Sequence, residues 1–403
     1  MSAALASATR VDELLGRRTE ANERFFTAEA ERLARLCHRM AERFARGGRL
    51  VALGETPQAR SDVRHVAVEF VHPVIVGKRA LPAIGLSREG GGLAEQVQLV
   101  AEPDDIAIAF GPGTAEALAV AAGRGCLTVA FEPAGAEWEL VPQAEDPFVA
   151  QEVAETAYHL LWELVHVFFE HRGLLEGREA RAVHDTGASS FLYPFLAEGE
   201  TDLEAVVEDV RRSVLMKAED VGALREQTLG EGCAPLVAAA AGLRSAFEAG
   251  GRLLALGNGG SATDAMDAVA DFRHPPAGWP SRPALDLTED TAILTAIAND
   301  VGVEAIFARQ VIAHGRAEDL LLVLSTSGNS ANVIEALAEA RRREMGTVAM
   351  VGYDGGRVAA EGLADHVVVT RSEHIPRIQE AQASAYHVLR ELVEVGSRRG
   401  AHR

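Results

Sequence analysis

The chain contains a long internal repeat, and this repeat constrains its fold more than any other feature. The segment at 47–54 reads GGRLVALG and recurs as GGRLLALG at 250–257. The segment at 151–165 reads QEVAETAYHLLWELV and recurs without a gap as QEAQASAYHVLRELV at 379–393. Shorter matches between these anchors follow the same order in both halves. A fixed order of recurring segments predicts a tandem duplication of a domain of roughly 170–200 residues.

Each half alternates short apolar runs with helical patterns. Strands are expected at 49–53, 81–86, 105–110, 127–131, 253–256 and 320–324, and long helices at 19–46, 147–169, 202–229 and 234–249. The alternation predicts an α/β fold of two tandem domains, each a parallel, doubly wound, flavodoxin-like sheet with helices on both faces. We expect a loose leader at 1–18, a first domain at 19–170, a linker at 171–199 packed by Phe191–Leu196, and a second domain at 200–403.

The charge and the cysteines narrow the class of protein. Among 403 residues, 59 are acidic and 39 basic, and the net charge of −20 argues against a general affinity for nucleic acid or anionic membranes. The three cysteines are far apart and odd in number, which is typical of reduced thiols. No apolar run reaches the length of a membrane span, and the N-terminus lacks a signal-peptide core. We therefore expect a cytoplasmic protein.

Two strand–turn–helix units in the second half have turns rich in hydrogen-bond donors. They read LLALGNGGSATDAMDAVAD at 253–271 and LLLVLSTSGNSANV at 320–333. Backbone N–H groups at a helix N-terminus bind anions, and hydroxyl groups add donors. A plain turn needs only one or two glycines. The pattern therefore predicts a phosphate site formed by Asn258, Gly259, Gly260, Ser261, Ser325, Thr326, Ser327 and Ser330.

These turns, together with ANDVG at 298–302 and RIQEAQASAYH at 377–387, resemble the sugar isomerase (SIS) domain. They are most similar to the phosphoheptose isomerases, which interconvert sedoheptulose 7-phosphate and a heptose 7-phosphate. The resemblance covers nearly all of 200–395, whereas the first half resembles the family only through the internal repeat. It implies aldose–ketose isomerisation through an enediol(ate), with the substrate phosphate on the two turns and no nucleotide cofactor.

The resemblance also implies four chemical positions, a His and a Glu on the first helix and a Gln and a His on the last, which bind zinc in metal-dependent members. In the second half these positions read Asp267, Asp271, Gln379 and His387. We expect Asp271 and His387 to act as acid–base groups, and Gln379 and Asp290 to orient the sugar hydroxyls. Two alternatives stay open. The aspartates mark a loss of ligation, or they form a site for Mg²⁺ or Mn²⁺.

The first half shows the reverse pattern. Its turns have lost their donors, since Glu55 would repel a phosphate and Pro57 and Pro112 lack an N–H. The four family positions nevertheless survive, as His65, Glu69, Gln151 and His159. They predict a divalent metal site, zinc by resemblance; the alternative is that the first two form only an ion pair on a solvated helix face. This complementary retention suggests a composite site between the halves.

Two hypotheses about the whole protein follow. Family members form tetramers, so we expect a homodimer that provides a pseudo-tetramer of SIS domains. The first hypothesis is a phosphosugar isomerase. The second is a non-catalytic SIS protein that binds a sugar phosphate or a protein partner as a regulator, which the two aspartates favour. The sequence has no helix-turn-helix or basic segment, and this argues against a direct DNA-binding regulator.

Overall fold

The computed structural model describes residues 3–75, 78–170 and 202–400. The predicted linker at 171–199, with Phe191–Leu196, lies outside these residues. The chain divides into two compact units. The N-terminal unit comprises Ala21–Asp146 and Val153–Glu219, and the C-terminal unit comprises Met1–Glu20, Pro147–Glu152 and Asp220–Arg403.

The first sheet belongs to the N-terminal unit. Its parallel strands are β1 (Leu50–Gly54), β2 (Ala83–Ser87), β3 (Ile106–Phe110), β4 (Leu127–Ala130) and β5 (Trp138–Glu139), in the spatial order β2-β1-β3-β4-β5. The helices of this part of the chain are α1 (Ala3–Ala45), α2 (Pro57–Val71), α3 (Leu93–Val100), α4 (Ala115–Gly123) and α5 (Pro147–Glu170). Helices α1 and α5 also contribute residues to the C-terminal unit.

The second sheet belongs to the C-terminal unit. Its parallel strands are β6 (Leu253–Leu256), β7 (Ala284–Asp286), β8 (Leu320–Ser325), β9 (Gly346–Gly352) and β10 (His366–Thr370), in the order β10-β9-β8-β6-β7. The helices are α6 (Leu203–Glu231), α7 (Cys233–Glu248), α8 (Gly260–Arg273), α9 (Thr291–Asp300), α10 (Ala308–His314), α11 (Ala331–Arg342), α12 (Gly356–Ala360) and α13 (Ile375–Gly400).

Both sheets have the same topology, because the second strand of each unit lies at one edge and the chain then crosses to the other side of the first strand. Strand β6 shows why the sheet is covered on both faces. Leu253 and Ala255 belong to one buried apolar cluster, while Leu254 and Leu256 belong to another. Alternate residues of a strand point to opposite faces, so an uninterrupted apolar run requires helices on both sides. The predicted doubly wound α/β fold is confirmed.

One local prediction is wrong. Residues 3–18 are helical rather than a loose leader, and Val11 and Leu14 are buried in the core of the C-terminal unit. Helix α2 begins at Pro57, because Thr56 accepts a hydrogen bond from the Ala59 N–H and proline suits the first helical position.

The topology places the two donor-rich turns side by side. Strand β6 pairs in parallel with β7 on one side and β8 on the other, and the order of the chain reverses between β6 and β8. Ligands of doubly wound sheets bind at such a reversal, outside the carboxyl ends of the strands. The turns that follow β6 and β8 open on this edge. Among the described residues, no helix combines the length and apolarity needed to cross a bilayer.

Candidate functional site

The two turns adopt conformations that need glycine. Gly259 has φ +57° and precedes the first residue of α8. Gly328 has φ +61°, and a Cβ atom there would lie 2.2 Å from the carbonyl oxygen of Gly355. Only glycine adopts a positive φ at little cost, and only glycine permits such a close approach. In both turns the glycine therefore lets the backbone bend sharply before the helix that follows.

A pair of amide side chains joins the turns. The Asn258 amide donates to Asn332 Oδ1 at 3.0 Å, and the Asn332 amide donates to Asn258 Oδ1 at 2.9 Å. Asn332 Oδ1 also accepts the Val333 N–H at 3.0 Å in the first turn of α11. This reciprocal pairing couples the N-termini of α8 and α11, which point their N–H groups and dipoles at the same edge of the sheet.

The hydroxyl groups of the second turn have two roles. Ser325 Oγ accepts the Gly328 N–H at 3.1 Å, and Ser327 Oγ accepts the Asn329 N–H at 3.2 Å, so both serines shape the turn. Ser330 is the N-cap residue of α11, and its side chain makes no capping hydrogen bond. A hydroxyl at this position can donate to an anion held by the helix N-terminus.

A buried cluster lies further along α8. The Asp–His cluster consists of Asp267 and Asp271 on α8 and His387 on α13, with one ligand atom from each within 4.8 Å of the others. His387 Nε2 lies 3.2 Å from Asp271 Oδ2 and 3.3 Å from Asp267 Oδ2. The two aspartates are four residues apart and hence on one face of the helix. The structure thus brings Asp271 and His387 together, and the acid–base roles expected of them stay a prediction.

The two aspartates have different partners. Asp267 accepts hydrogen bonds from the Tyr386 hydroxyl at 2.8 Å and from the Gln151 amide at 3.0 Å. Asp271 faces His387, and its backbone carbonyl accepts from Arg390 at 3.1 Å. Both carboxylates thus face the imidazole, and that of Asp267 is held by two neutral donors as well.

Glu152 of α5 holds the other face of the imidazole. Its Oε1 lies 2.8 Å from His387 Nδ1. Arg18 Nε donates to both carboxylate oxygens, at 3.0 and 3.1 Å, and the Ser384 hydroxyl donates to Oε2. Burial alone would raise the pKa of Glu152, but the charges of Arg18, His387 and Arg225 outweigh burial and lower the pKa to about 2. Glu152 is therefore a permanent anion.

The same network shifts the pKa values of the cluster. Burial raises the pKa of Asp271, the Asp267 charge raises it further, and His387 opposes both, with a net pKa of about 6. Burial lowers the pKa of His387, but hydrogen bonds to Asp267, Asp271 and Glu152 outweigh it and raise the pKa well above the ordinary value. A carboxyl group and an imidazole with such displaced pKa values are suited to exchange protons near neutral pH.

The remaining predicted residues of this half lie elsewhere. Gln379 is buried on α13, two turns before His387. Asp290 is exposed and is the N-cap of α9, where its carboxylate accepts the Ile293 N–H at 2.9 Å. The structure thus gives Asp290 a capping role, and its predicted role toward a sugar stays a prediction.

A second buried cluster lies in the N-terminal unit. The His–Glu cluster consists of His65 on α2 and Glu155 and His159 on α5. The Nε2 atoms of the two histidines are 3.3 Å apart, and Glu69 Oε1 lies 4.0 Å from His65 Nε2. His65 and Glu69 are 3% and 2% exposed, which excludes an ion pair on a solvated face. Gln151 belongs to the C-terminal unit, where it contacts Asp267.

The His–Glu cluster fits a zinc ion by its chemistry and spacing. Zinc prefers imidazole nitrogen and carboxylate oxygen, and tetrahedral bonds of about 2.0–2.1 Å place ligand atoms about 3.3–3.4 Å apart. The observed separation between the histidine nitrogens equals this edge. The sequence predicted three members of this neighbourhood, His65, Glu69 and His159, but not Glu155.

The turns of the N-terminal unit carry a carboxylate where the other unit has donors. A Cβ atom on Gly113, after β3, would lie 2.9 Å from Glu55 Oε2, so the Glu55 side chain extends from the first turn to the second. Arg88 lies 3.6 Å from the same oxygen. A carboxylate in this position repels a phosphate, as the sequence predicted.

The sequence analysis missed Arg18 and Glu152, which complete the surroundings of His387. Arg18 lies in the segment predicted as a leader, so nothing in the sequence indicated that its side chain is buried. Glu152 had a weak signal, because the dipeptide Gln-Glu occurs at 151–152 and again at 379–380, at the start of both repeated helices. The contact between Glu152 of the first half and His387 of the second half is visible only in the structure.

Comparison with known proteins identifies relatives of the second half of the chain. The family model described as SIS domain matches residues 218–352. A phosphoheptose isomerase from Pelodictyon phaeoclathratiforme is 42% identical over 202 residues, which are 49% of this chain and 93% of that protein. A phosphoheptose isomerase from Chlorobium phaeobacteroides is 44% identical over 200 residues, 49% of this chain and 86% of that protein.

Solved structures match the whole chain at low identity. The C-terminal domain of glucosamine-fructose-6-phosphate aminotransferase from Francisella tularensis has a TM-score of 0.58 at 10% identity, and the match covers 96% of this chain and 95% of that one. Tagatose-6-phosphate ketose/aldose isomerase from Escherichia coli has a TM-score of 0.53 at 15% identity, covering 98% and 96%. At these identities the likeness concerns the two-domain fold alone.

Proposed function

This chain belongs to the phosphoheptose isomerase family of SIS-domain proteins, and on that basis we propose that it is a phosphosugar aldose–ketose isomerase. The observation that carries the proposal lies on one helix. The N-terminus of α8 forms half of the paired donor-rich turns, and the same helix carries Asp271 against His387. One helix thus joins an anion site to an acid–base pair.

The paired turns would hold the phosphate of the substrate. Asn258–Ser261 and Ser325–Ser330 supply backbone N–H groups, and Ser330 supplies a hydroxyl. Asp271 lies ten residues after Ser261, about 15 Å along the helix axis. This separation favours a long phosphosugar, such as sedoheptulose 7-phosphate, over a triose phosphate. Binding the remote phosphate would supply energy that positions the reacting carbons.

Asp271 and His387 would carry the protons. Asp271 removes the proton from the carbon next to the carbonyl and later returns it to the neighbouring carbon, through an enediol(ate). The His387 imidazolium gives the Nε2 proton to the carbonyl oxygen as the enediol forms, and it takes back the proton of the neighbouring hydroxyl group as the aldose forms. Asp267 stays hydrogen-bonded to Tyr386 and Gln151 and adds the negative charge that helps to raise the pKa of Asp271.

We include a divalent metal in this proposal, with zinc as the first candidate. His65, His159 and Glu155 would hold it, beside Glu69. A bound zinc ion supplies Lewis acidity toward oxygen. The expected metal content is one zinc per chain, lost in His159→Ala and retained in Asp267→Asn, as measured by mass spectrometry of the dialysed protein. Retention in His159→Ala would contradict this assignment.

A second candidate function is a sugar-phosphate-binding regulator without turnover. The burial of the Asp–His cluster favours it, because Asp271 and His387 are 1% and 0% exposed and Phe148 stacks on the imidazole at 4.8 Å. A regulator would keep the phosphate turns and need no access of the sugar to His387. Thermal stabilisation by sedoheptulose 7-phosphate without turnover would favour this candidate.

The direct test is turnover by the purified protein. Sedoheptulose 7-phosphate is incubated with the protein alone and with Zn²⁺, Mg²⁺ or Mn²⁺, and the aldoheptose phosphate is measured. We expect turnover by the unmodified protein and its loss in His387→Asn, while binding of the sugar phosphate is retained. Absence of turnover under every condition, from a folded protein, would overturn the proposal.

A further inference from the structure

The orientation of the His387 ring is set from outside the Asp–His cluster. One ring nitrogen, Nδ1, lies 2.8 Å from Glu152 Oε1, and the other, Nε2, lies 3.2 Å from Asp271. The two nitrogens are fixed relative to each other in the ring. A partner that accepts a hydrogen bond from Nδ1–H therefore determines the direction in which Nε2 points.

Glu152 is itself held in place. Arg18 Nε donates to both carboxylate oxygens, Arg18 Nη2 lies 2.9 Å from Oε1, and the Ser384 hydroxyl donates to Oε2. Glu152 and Arg18 are each 1% exposed. A buried carboxylate with charged donors on both oxygens cannot rotate without leaving a guanidinium unpaired, which is strongly unfavourable. The chain thus holds the imidazole through a rigid carboxylate.

We propose that Glu152, anchored by Arg18, is a positioning residue that fixes the ring of His387 and directs Nε2 at Asp271. Both residues lie outside 200–395, the range that resembles the phosphoheptose isomerases. Glu152 comes from the repeated helix of the first half, and Arg18 from the N-terminal half of α1. The residues of the second half alone would then not orient His387. The acid–base chemistry of His387 would therefore need both halves of the chain.

The first arm of the test does not depend on turnover. In the full chain labelled with ¹⁵N-histidine, the His387 ring signals are assigned by their loss in His387→Asn. We expect a hydrogen-bonded Nδ1–H signal in the unmodified protein and its loss or displacement in Glu152→Gln. An unchanged His387 signal in Glu152→Gln would overturn the proposal, whether or not the protein is an isomerase.

The second arm rests on the proposed isomerase function. Glu152→Gln should lower kcat by about 10²-fold or more while KM changes by less than about twofold, because orientation of an acid–base group acts on the chemical step. Glu391→Gln is the matched control, since Glu391 Oε1 also pairs with Arg18, at 3.5 Å. Its kcat should be unchanged. Equal losses in both variants would show a structural role and contradict positioning.

A third variant separates positioning from folding. Glu152→Gln alone leaves Arg18 buried without a full counter-charge, whereas Arg18→Met with Glu152→Gln removes both members of the pair and restores stability. The double variant should melt near the unmodified protein and still show the altered His387 signal. A double variant with the unmodified His387 signal would overturn the proposal. If the unmodified protein showed no turnover, the isomerase function would be contradicted. The NMR measurement would still decide whether Glu152 positions His387.

Discussion

The two aspartates of α8 show how neighbouring residues of the same type acquire different properties. Asp267 accepts hydrogen bonds from the Tyr386 hydroxyl and the Gln151 amide. Asp271 is buried beside that charge, and its pKa rises from 3.8 to about 6. Burial beside a charged neighbour thus leaves Asp271 able to exchange a proton near neutral pH.

Replacement of Asp271 by Asn should stabilise the protein at pH 8 and abolish its activity. The folded-state pKa of Asp271 is raised, so folding favours the protonated form and the ionised form costs roughly 3 kcal/mol above pH 6. This cost disappears as the pH falls below the unfolded value near 4. Urea unfolding at pH 8 and pH 4 measures the difference.

Asp267→Asn is the matched control for this prediction. Both of its carboxylate oxygens accept hydrogen bonds from neutral donors, so an amide would place an NH₂ group against a donor. We expect no gain in stability from this variant. If Asp271→Asn gained the same stability at pH 8 and at pH 4, loss of the ionised carboxylate could not be the cause of that gain.

At the scale of elements, the turn after β8 depends on a glycine that no other residue can replace. Gly328→Ala places a Cβ atom 2.2 Å from the Gly355 carbonyl oxygen. Gly362→Ala has nearly the same φ, +58° against +61°, but meets nothing within 4 Å. Both variants should lose about 1–2 kcal/mol from the left-handed conformation, and Gly328→Ala about 1–3 kcal/mol more from the close contact.

The two alanine variants also separate stability from ligand binding. Gly328→Ala displaces the donor-rich turn, so its KM for the phosphosugar, or its Kd, should rise at least about tenfold. Gly362→Ala should leave both constants unchanged. Chemical unfolding and calorimetric titration measure the two effects, and equal behaviour of the variants would exclude the contact with Gly355 as the cause.

The strands and the phosphate turns were predictable from the sequence, because their signals are local. The run Leu253–Leu256 is apolar at every position, and glycines with hydroxyl residues follow it. The burial of Arg18 was not predictable, because a single arginine in a helical segment has no local feature that distinguishes it from an exposed one. Its burial depends on Glu152, 134 residues away along the chain.

The lack of a local signal also explains why the predicted metal ligands did not include Glu155. The spacing of His65 and Glu69 predicts one helix face, and the repeat adds His159. Glu155 joins the cluster because α5 presents residues four apart, 155 and 159, on one face. The sequence could not rank Glu155 above the other acidic residues of that helix.

At the scale of the whole molecule, two units share one topology and differ in the chemistry of their turns. The donor-rich turns occur in the C-terminal unit, and Glu55 extends across the equivalent turns of the N-terminal unit. We therefore predict one phosphosugar site per chain. Calorimetric titration with sedoheptulose 7-phosphate should give a stoichiometry of one, and a stoichiometry of two would contradict the role assigned to Glu55. The homodimer predicted from the sequence remains a prediction for light scattering.

We propose that the C-terminal unit moves a proton between neighbouring carbons of a phosphosugar. The most direct measurement is isomerisation of sedoheptulose 7-phosphate in ²H₂O, with the aldose phosphate analysed by NMR and mass spectrometry. We predict an aldose that carries solvent deuterium at carbon 2, because Asp271 exchanges its proton while the enediol(ate) persists. An aldose formed without deuterium, or no aldose from a folded protein that binds the sugar phosphate, would contradict the account.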